Sequence, residues 1–553
     1  MALSGWLLTL FALSAVGIVL LGLRTAHDAR SKRGARTVFD ALGVICGVAF
    51  VTLTGWTTKL PVLRGSAWSL KDTLIRAGAL TTGLVFLWAL LAIIVPFVFD
   101  RLEGRAFTFF VAVRHVRSQK SGFLSIISVL SIAGVTISSC ALCDASSVMG
   151  GFSADLKRKI LGNNAHIVVD QTSLVPWGEY EPVLDRIRKT PHVLGATPVL
   201  HGEVMITSNS NLAGVLVRGI DPASIRSVIE MPNNIEVGKL EYLERPELLM
   251  HLPEKEVIGI GPGGELYTKG PELPGLDMDP VTREAPPPPP VRPGIIVGRE
   301  LAKTLHVYVG DEITLISPLG DLGPMGVMPR TKRFRVAGVF FSGMYEYDAT
   351  HVYTTLATAQ DYFGMQGKIS AIDVKLEDGE LAEEGAPEVR AAVDRDLRVR
   401  DWREINKNLF SALKLEKVAV FLILSITTLV ASFCIICTLL LMVTEKGKEI
   451  AILKAVGASD GAILRTFMLE GVIIGILGTV FGVSSGLATC AGLKWFGVRL
   501  DPDVYYIDRL PIAVNPGDFA LVAVSAIVIC TLATVYPALA ASTVRPVDGL
   551  RYE

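Results

Sequence analysis

The residues best suited by type to covalent or metal chemistry are seven cysteines and eight histidines. Cys140/Cys143 and Cys434/Cys437 have the two-residue spacing of metal or redox pairs. Both pairs lie in apolar runs, as do Cys46, Cys490 and Cys530, and no further ligands stand at the spacing such sites need. They read as small residues of membrane helices. The polar stretch 150–413 holds no cysteine, so no disulfide framework is expected there. His166, His192, His201, His251, His306 and His351 are scattered singly through that stretch and read as ordinary surface or core residues. No GxxxxGK[ST] phosphate loop, HExxH or GxSxG occurs anywhere. The sequence therefore offers no catalytic residue and no metal site, and any energy source must be a partner.

A different kind of chemistry, protein docking, is written in Thr444-Glu-Lys-Gly-Lys-Glu-Ile-Ala-Ile-Leu-Lys-Ala-Val-Gly457. Thr444 is expected to cap a helix, Glu445 to suit its positive end, and Gly457 to stop it. Ile450 and Leu453 form one apolar ridge and Ile452 and Val456 another, beside Lys448, Glu449 and Lys454. A short amphipathic helix of this kind serves either a partner's groove or the lipid headgroups.

Two further patterns concern packing and recognition. Gly471, Gly475, Gly478, Gly482 and Gly486 recur in steps of four and three, which predicts one glycine-lined helix face for close helix approach. Between expected strands at 312–317 and 333–339 lies a Gly- and Pro-rich tip, 318–330. Its prolines Pro318, Pro324 and Pro329 pre-shape it, and Met325 and Met328 offer adaptable apolar contacts.

The elements that position these residues follow from hydropathy. Half of the 553 residues are hydrophobic, and the mean hydropathy is +0.46, so several segments must sit in lipid. A net charge of −1 gives no argument for nucleic-acid binding. Apolar runs of spanning length occur at 4–23, 77–99, 123–143, 418–443, 463–491 and 519–539, with 38–56 as a seventh weakened by Asp40. The first lacks a basic leader and reads as a retained span. Five Lys/Arg in 101–120 and three in 444–462 place those loops inside, against two in 497–516. That puts 150–413 outside and the C-terminus inside, although 57–76 carries four positive residues on the outer side. The outer region reads as α+β, with strands at 294–297, 312–317 and 333–339 and helices at 182–189 and 355–363. Between 253 and 293, scattered prolines and Pro286–Pro290 predict a loop or stiff linker.

The docking segment, Glu445-Lys-Gly-Lys-Glu449 followed by Ala451-Ile-Leu-Lys-Ala-Val-Gly-Ala458, resembles the coupling segment of the FtsX/MacB/Lol permease superfamily. Arg114-His-Val-Arg117, Val148-Met-Gly-Gly-Phe-Ser-Ala-Asp-Leu156, Ile160-Leu-Gly162, Gly294-Ile-Ile-Val-Gly-Arg-Glu-Leu-Ala302, Val309-Gly-Asp311, Phe341-Ser-Gly-Met-Tyr-Glu-Tyr-Asp348 and the ending Arg545-Pro-Val-Asp-Gly-Leu-Arg-Tyr-Glu553 agree with it. Together they favour the lipoprotein-releasing (LolC/LolE) branch over about residues 105–553.

That resemblance implies a multi-pass inner-membrane permease with a large α+β periplasmic domain. Four core spans would be preceded by up to three extra ones in 1–100. The implied boundaries are 101–149 for a basic segment and first core span, 150–413 for the periplasmic domain with its Pro-rich insertion 253–293, and 414–553 for the remaining core. Glu445, Lys446, Lys448, Glu449, Ile452, Val456 and Gly457 would couple to a cytoplasmic ABC ATPase dimer, which would bind the ATP and Mg. Pro324, Met325, Gly326, Met328, Pro329 and Arg330 would form the hook that recruits a periplasmic lipoprotein chaperone. The glycine row would pack helices. Other implied partners are a second permease subunit, lipoprotein cargo and membrane lipid; the choice of homo- or heterodimer stays open. The resemblance also admits a MacB-like efflux permease, and an FtsX-like transmitter to a cell-wall hydrolase. An FtsX-like outer domain would be smaller, and the hook-like tip argues against the MacB kind.

Overall fold

The computed structural model describes residues 13–21, 34–58, 70–103, 110–112, 122–173, 175–209, 211–250, 252–253, 255–260, 265–269, 290–323, 326–497, 500, 506–507 and 509–545. The chain divides into two compact units, Met1–Ala154 with Ala412–Glu553, and Asp155–Ser411.

Among the described residues, six helices are long and apolar enough to cross a membrane. They are Gly34–Thr57, Leu70–Glu103, Gly122–Asn163, Lys407–Glu445, Asp460–Phe496 and Pro516–Ser542. Six of the seven expected spans lie inside them. Most are longer than their apolar runs, because the backbone stays helical into the polar flanks. Of the seventh, 4–23, only 13–21 is described, and it is helical. Asp40, which weakened the reading of 38–56, is buried.

The helix ends follow local chemistry. Ser459 accepts from the Ala462 N–H, and Asn515 from the Gly517 N–H, each supplying an acceptor to an orphan donor. Pro516 stands at the first helical position, where its missing N–H costs nothing. Gly497, at φ +54°, ends the glycine-row helix in the left-handed region.

The second unit is built on a mixed sheet. Its strands are β1 (Ile167–Gln171), β2 (Val193–Thr207), β3 (Leu212–Ile220), β4 (Ile235–Gly238), β5 (Val257–Ile260), β6 (Leu266–Thr268), β7 (Gly294–Gly298), β8 (Glu312–Gly323), β9 (Gly326–Phe340), β10 (His351–Thr355), β11 (Ala371–Leu376) and β12 (Leu397–Asp401). Ten strands form one sheet in the order β12-β1-β11-β2-β3-β10-β7-β9-β4, with β8 joining β2 and β9. Two pairs, β3 with β10 and β7 with β9, are parallel. Their partners come from distant parts of the chain, as parallel pairing requires.

Two apolar clusters support the sheet. One gathers Val217, Ile296, Phe334, Phe340 and Tyr353; the other gathers Ile167, Ile187, Ile372, Val389 and Trp402. The expected strands at 294–297, 312–317 and 333–339 and helices at 182–189 and 355–363 all form, the last two as Glu181–Arg188 and Leu356–Phe363. Thr355 caps the second through the Thr358 N–H, and Gly364 closes it at φ +68°.

The stretch 253–293 departs from its expected linker character. Within it β5 and β6 pair, and Val257 and Ile258 pack against the larger apolar cluster. Those two adjacent β-branched residues gain enough apolar contact to order a hairpin despite the prolines that follow. Residues 270–289 lie outside the described residues.

Candidate functional site

The segment 444–457 is held by one buried face. The span Lys407–Glu445 runs through Glu445, Lys446 occupies the break, and a separate helix covers Gly447–Ala455. Ile450 and Ala451 are buried, and Ile450 joins Met442, Val443, Ile463, Phe467, Ala538 and Ala541, with Leu453 packed alongside. This short helix is therefore seated on three spans by one apolar ridge.

Lys454 fixes it from the side. Its Nζ donates to Ser542 O at 2.5 Å and Val544 O at 2.9 Å, and pairs with Asp460 at 2.7 Å. A lysine at the carbonyl end of the last span satisfies orphan acceptors and meets the negative end of its dipole. The other end of the same span is held by Lys417, whose Nζ lies 2.8 Å from Asp518. Sequence reading placed Lys454 only beside the ridges. The separation of about ninety residues from its acceptors leaves no local signal.

The second ridge points the other way. Ile452 is 51% exposed and Val456 is 85% exposed. Glu445, Lys448, Glu449, Ala455 and Gly457 are exposed around them. Lys446 pairs with Glu449 at 2.8 Å, stiffening the first turn. Gly457, at φ +113°, ends the helix as expected, its N–H donating to Lys454 O. The result is a seated helix presenting two branched apolar side chains within a rim of charges.

Two details of the expected helix are corrected. Thr444 is no cap: it sits in the last turn of the preceding span, and its hydroxyl donates to Leu441 O at 2.7 Å. Glu445 ends that span rather than standing at the positive end of the short helix.

The glycine row is also rearranged. It lines one face, but toward two neighbours rather than one. A Cβ at Gly471 or Gly475 would meet Thr534 or Cys530 of the last span, whereas one at Gly478, Gly482 or Gly486 would meet Val135, Ser139 or Cys143. At Gly482 it would lie 2.6 Å from Ser139 Cβ and 2.7 Å from Thr136 O. Steps of four and three keep all five on one face of a 3.6-residue helix, and the two groups meet different helices because they lie at different heights along that face.

The hairpin tip is shorter than expected. β8 and β9 continue past 317 and 333, pairing Asp321 with Met328, Leu322 with Val327 and Gly323 with Gly326 after a register shift between Ser317 and Asp321. The shift absorbs Pro318, which has no N–H to give the ladder. Gly326, Met328, Pro329 and Arg330 are thus strand residues, and Arg330 stands opposite Ser317 with its guanidinium reaching Tyr362 O at 3.4 Å. Pro324 and Met325 lie outside the described residues.

Residues 421–546 match the FtsX-like permease C-terminal family, and residues 260–392 match the MacB-like periplasmic core domain. The lipoprotein-releasing system transmembrane protein LolC of Neisseria meningitidis serogroup B is 30% identical over 461 residues, covering 80% of this chain and 98% of that protein. The chain belongs to the LolC/LolE family. The LolC of Xylella fastidiosa is 28% identical over 80% of this chain and 98% of its own length. The LolE of Haemophilus influenzae is 23% identical over the same shares. As a LolC/LolE-family member the chain is an ABC transporter permease of the lipoprotein-release system. Its six candidate spans and periplasmic core match fit a multi-pass inner-membrane protein.

Proposed function

We propose that this permease works as one half of an ATP-driven complex that lifts lipoproteins from the outer leaflet of the inner membrane and passes them to a periplasmic chaperone. Removing acyl chains from a bilayer costs about 0.8 kcal/mol per CH₂, so three chains demand an external energy source. The chain carries no phosphate loop, and a separate cytoplasmic ATPase dimer supplies the work, binding the ATP and Mg. In this reading the C-terminus and the helix Gly447–Ala455 are cytoplasmic. The tip between β8 and β9 contacts the chaperone through residues 324–330, and a second permease subunit completes the membrane path.

The observation that carries the reading is the outward ridge of Ile452 and Val456 on a helix seated by buried Ile450 and half-buried Leu453. Movement imposed on such a helix passes to three spans rather than being lost in a loop. The test uses proteoliposomes holding the permease, its ATPase, a triacylated lipoprotein and the soluble carrier. Ile452→Asp with Val456→Asp should lower ATPase recovery with the permease and abolish lipoprotein transfer. Loss of two buried apolar contacts of this kind corresponds to roughly thirtyfold or more in affinity. Undiminished recovery and transfer would refute the coupling role.

A further inference from the structure

Within the membrane unit, helices Gly34–Thr57, Leu70–Glu103 and Asp460–Phe496 and residues Leu13 and Ser14 line a half-open cavity of about 480 Å³. It lies toward the Phe496 end of its helix, remote from the docking helix at the Asp460 end. Its wall is apolar, with Phe50, Leu80, Leu87 and Phe496 among the larger side chains and no charged residue. The opposing helices are braced rather than collapsed. Arg76 donates to Phe496 O at 3.0 Å on one side, and Trp88 donates to Ser485 Oγ at 2.6 Å on the other.

Two polar groups give the cavity direction. Thr54, which lines it, is 3% exposed, and its Oγ1 has no hydrogen-bond partner. Arg76 stands one helical turn beyond the lining residue Leu80. Its Nε is buried without a hydrogen-bond partner, and none of the ion pairs among the described residues involves it. The pocket is apolar and half open, so water would find few polar partners inside it and hydrocarbon suits it better. The volume is that of a small-molecule site. The matching occupant is a flexible hydrocarbon chain carrying an anion at the arginine end, because guanidinium forks suit phosphate oxygens.

We propose that this cavity binds one acyl chain of an anionic glycerophospholipid, with the lipid phosphate held by Arg76 and an ester oxygen within reach of the Thr54 hydroxyl. The site joins the N-terminal helices to the glycine-row helix, so the bound lipid acts as part of their packing. This inference does not depend on cargo release or on the ATPase.

The experiment is native mass spectrometry of the full chain purified in detergent after reconstitution with phosphatidylglycerol. Wild type should retain one phospholipid. Arg76→Gln should weaken retention about tenfold, the loss expected for one charge-assisted hydrogen bond, while Arg76→Lys keeps most of it. Ala488→Phe, which places a ring in the cavity, should abolish retention with unchanged elution on size exclusion. Leu87→Trp serves the same purpose if that variant fails to accumulate. Wild type without retained phospholipid, or equal retention by Arg76→Gln and both filling variants, would overturn the proposal. So would displacement of the phospholipid by a synthetic triacylated lipopeptide lacking phosphate, which would assign the cavity to cargo.

Discussion

In the helix Asp460–Phe496, five glycines let backbones and small side chains of two neighbouring helices approach directly. In the ten-stranded sheet, the same work falls to large apolar side chains and to ion pairs across strands. Arg218 on β3 reaches over β2 to Asp373 on β11 at 2.5 Å, and Asp170 on β1 pairs with both Arg398 and Arg400 on β12. Lipid is as apolar as leucine, so burying leucines between spans gains little and close van der Waals contact must serve instead. Water around the sheet restores the hydrophobic term, and charges there are affordable where each is met by its opposite. The two regions should therefore fail in different ways.

The largest expected effect breaks the electrostatic side of that contrast. Asp373 is buried and Arg218 nearly so. Asp373→Ala leaves the guanidinium buried and unanswered, at a cost of about 3–5 kcal/mol. Hydrogen exchange should show protection lost along β3, β10 and β11, with the membrane helices unaffected. Equal protection in the variant would mean that the sheet's apolar clusters alone hold these strands.

A smaller effect sharpens the packing side. Gly482→Leu forces a side chain against Ser139 Cβ and Thr136 O, and overpacking of this kind costs about 1–3 kcal/mol. Gly461, which faces open space at the start of the same helix, is the control: Gly461→Leu should be neutral or better. Thermal unfolding in detergent separates the two. Similar midpoints would show that the glycine row is a hydrophobicity pattern and not a packing one.

How much of this was legible in the sequence depends on how local the cause is. Spans were legible because lipid imposes a length and an apolar composition on each one. Strands at 294–297 and 333–339 were legible because Ile295, Val297, Phe334 and Val336 are driven into one core. The glycine period was visible, but which helix each glycine meets depends on distant residues such as Thr534 and Val135. Thr444 misled because a threonine hydroxyl bonds the carbonyl three residues back as readily as it caps. The hairpin tip was over-read because Gly and Pro signal turns, while β8 and β9 absorb them with one register shift. The exposure of Ile452 and Val456 became readable only once Ile450 was seen buried. Periodicity shows that there are two ridges and not which one is taken.

The smallest expected effect concerns acid, and it tests whether the sheet's buried groups or its surface ion pairs set its pH range. His166, at the entry to β1, is buried and accepts the Leu376 N–H at its Nδ1 at 3.2 Å, which holds the ring neutral. Burial first, and Lys375 second, push its pKa down to about 4. Its unfolded value is near 6.5, so the folded chain binds fewer protons than the unfolded chain between those limits. Stability from this group is complete above pH 6.5 and is lost as pH falls toward 4. His351, stacked on Tyr347 and pushed down to about 3 by burial, adds to the same fall. Asp348 opposes it: burial raises its carboxyl to about 6, so folding gains as pH drops from 6 toward 4. The net expectation is a shallow decline from pH 6.5 downward in protection of β1 and β11. In His166→Gln, which cannot charge, that decline should flatten, because the remaining loss from His351 is offset by the gain from Asp348. Parallel curves for wild type and variant between pH 7 and 4.5 would show that His166 titrates freely and that the surface pairs set the acid limit.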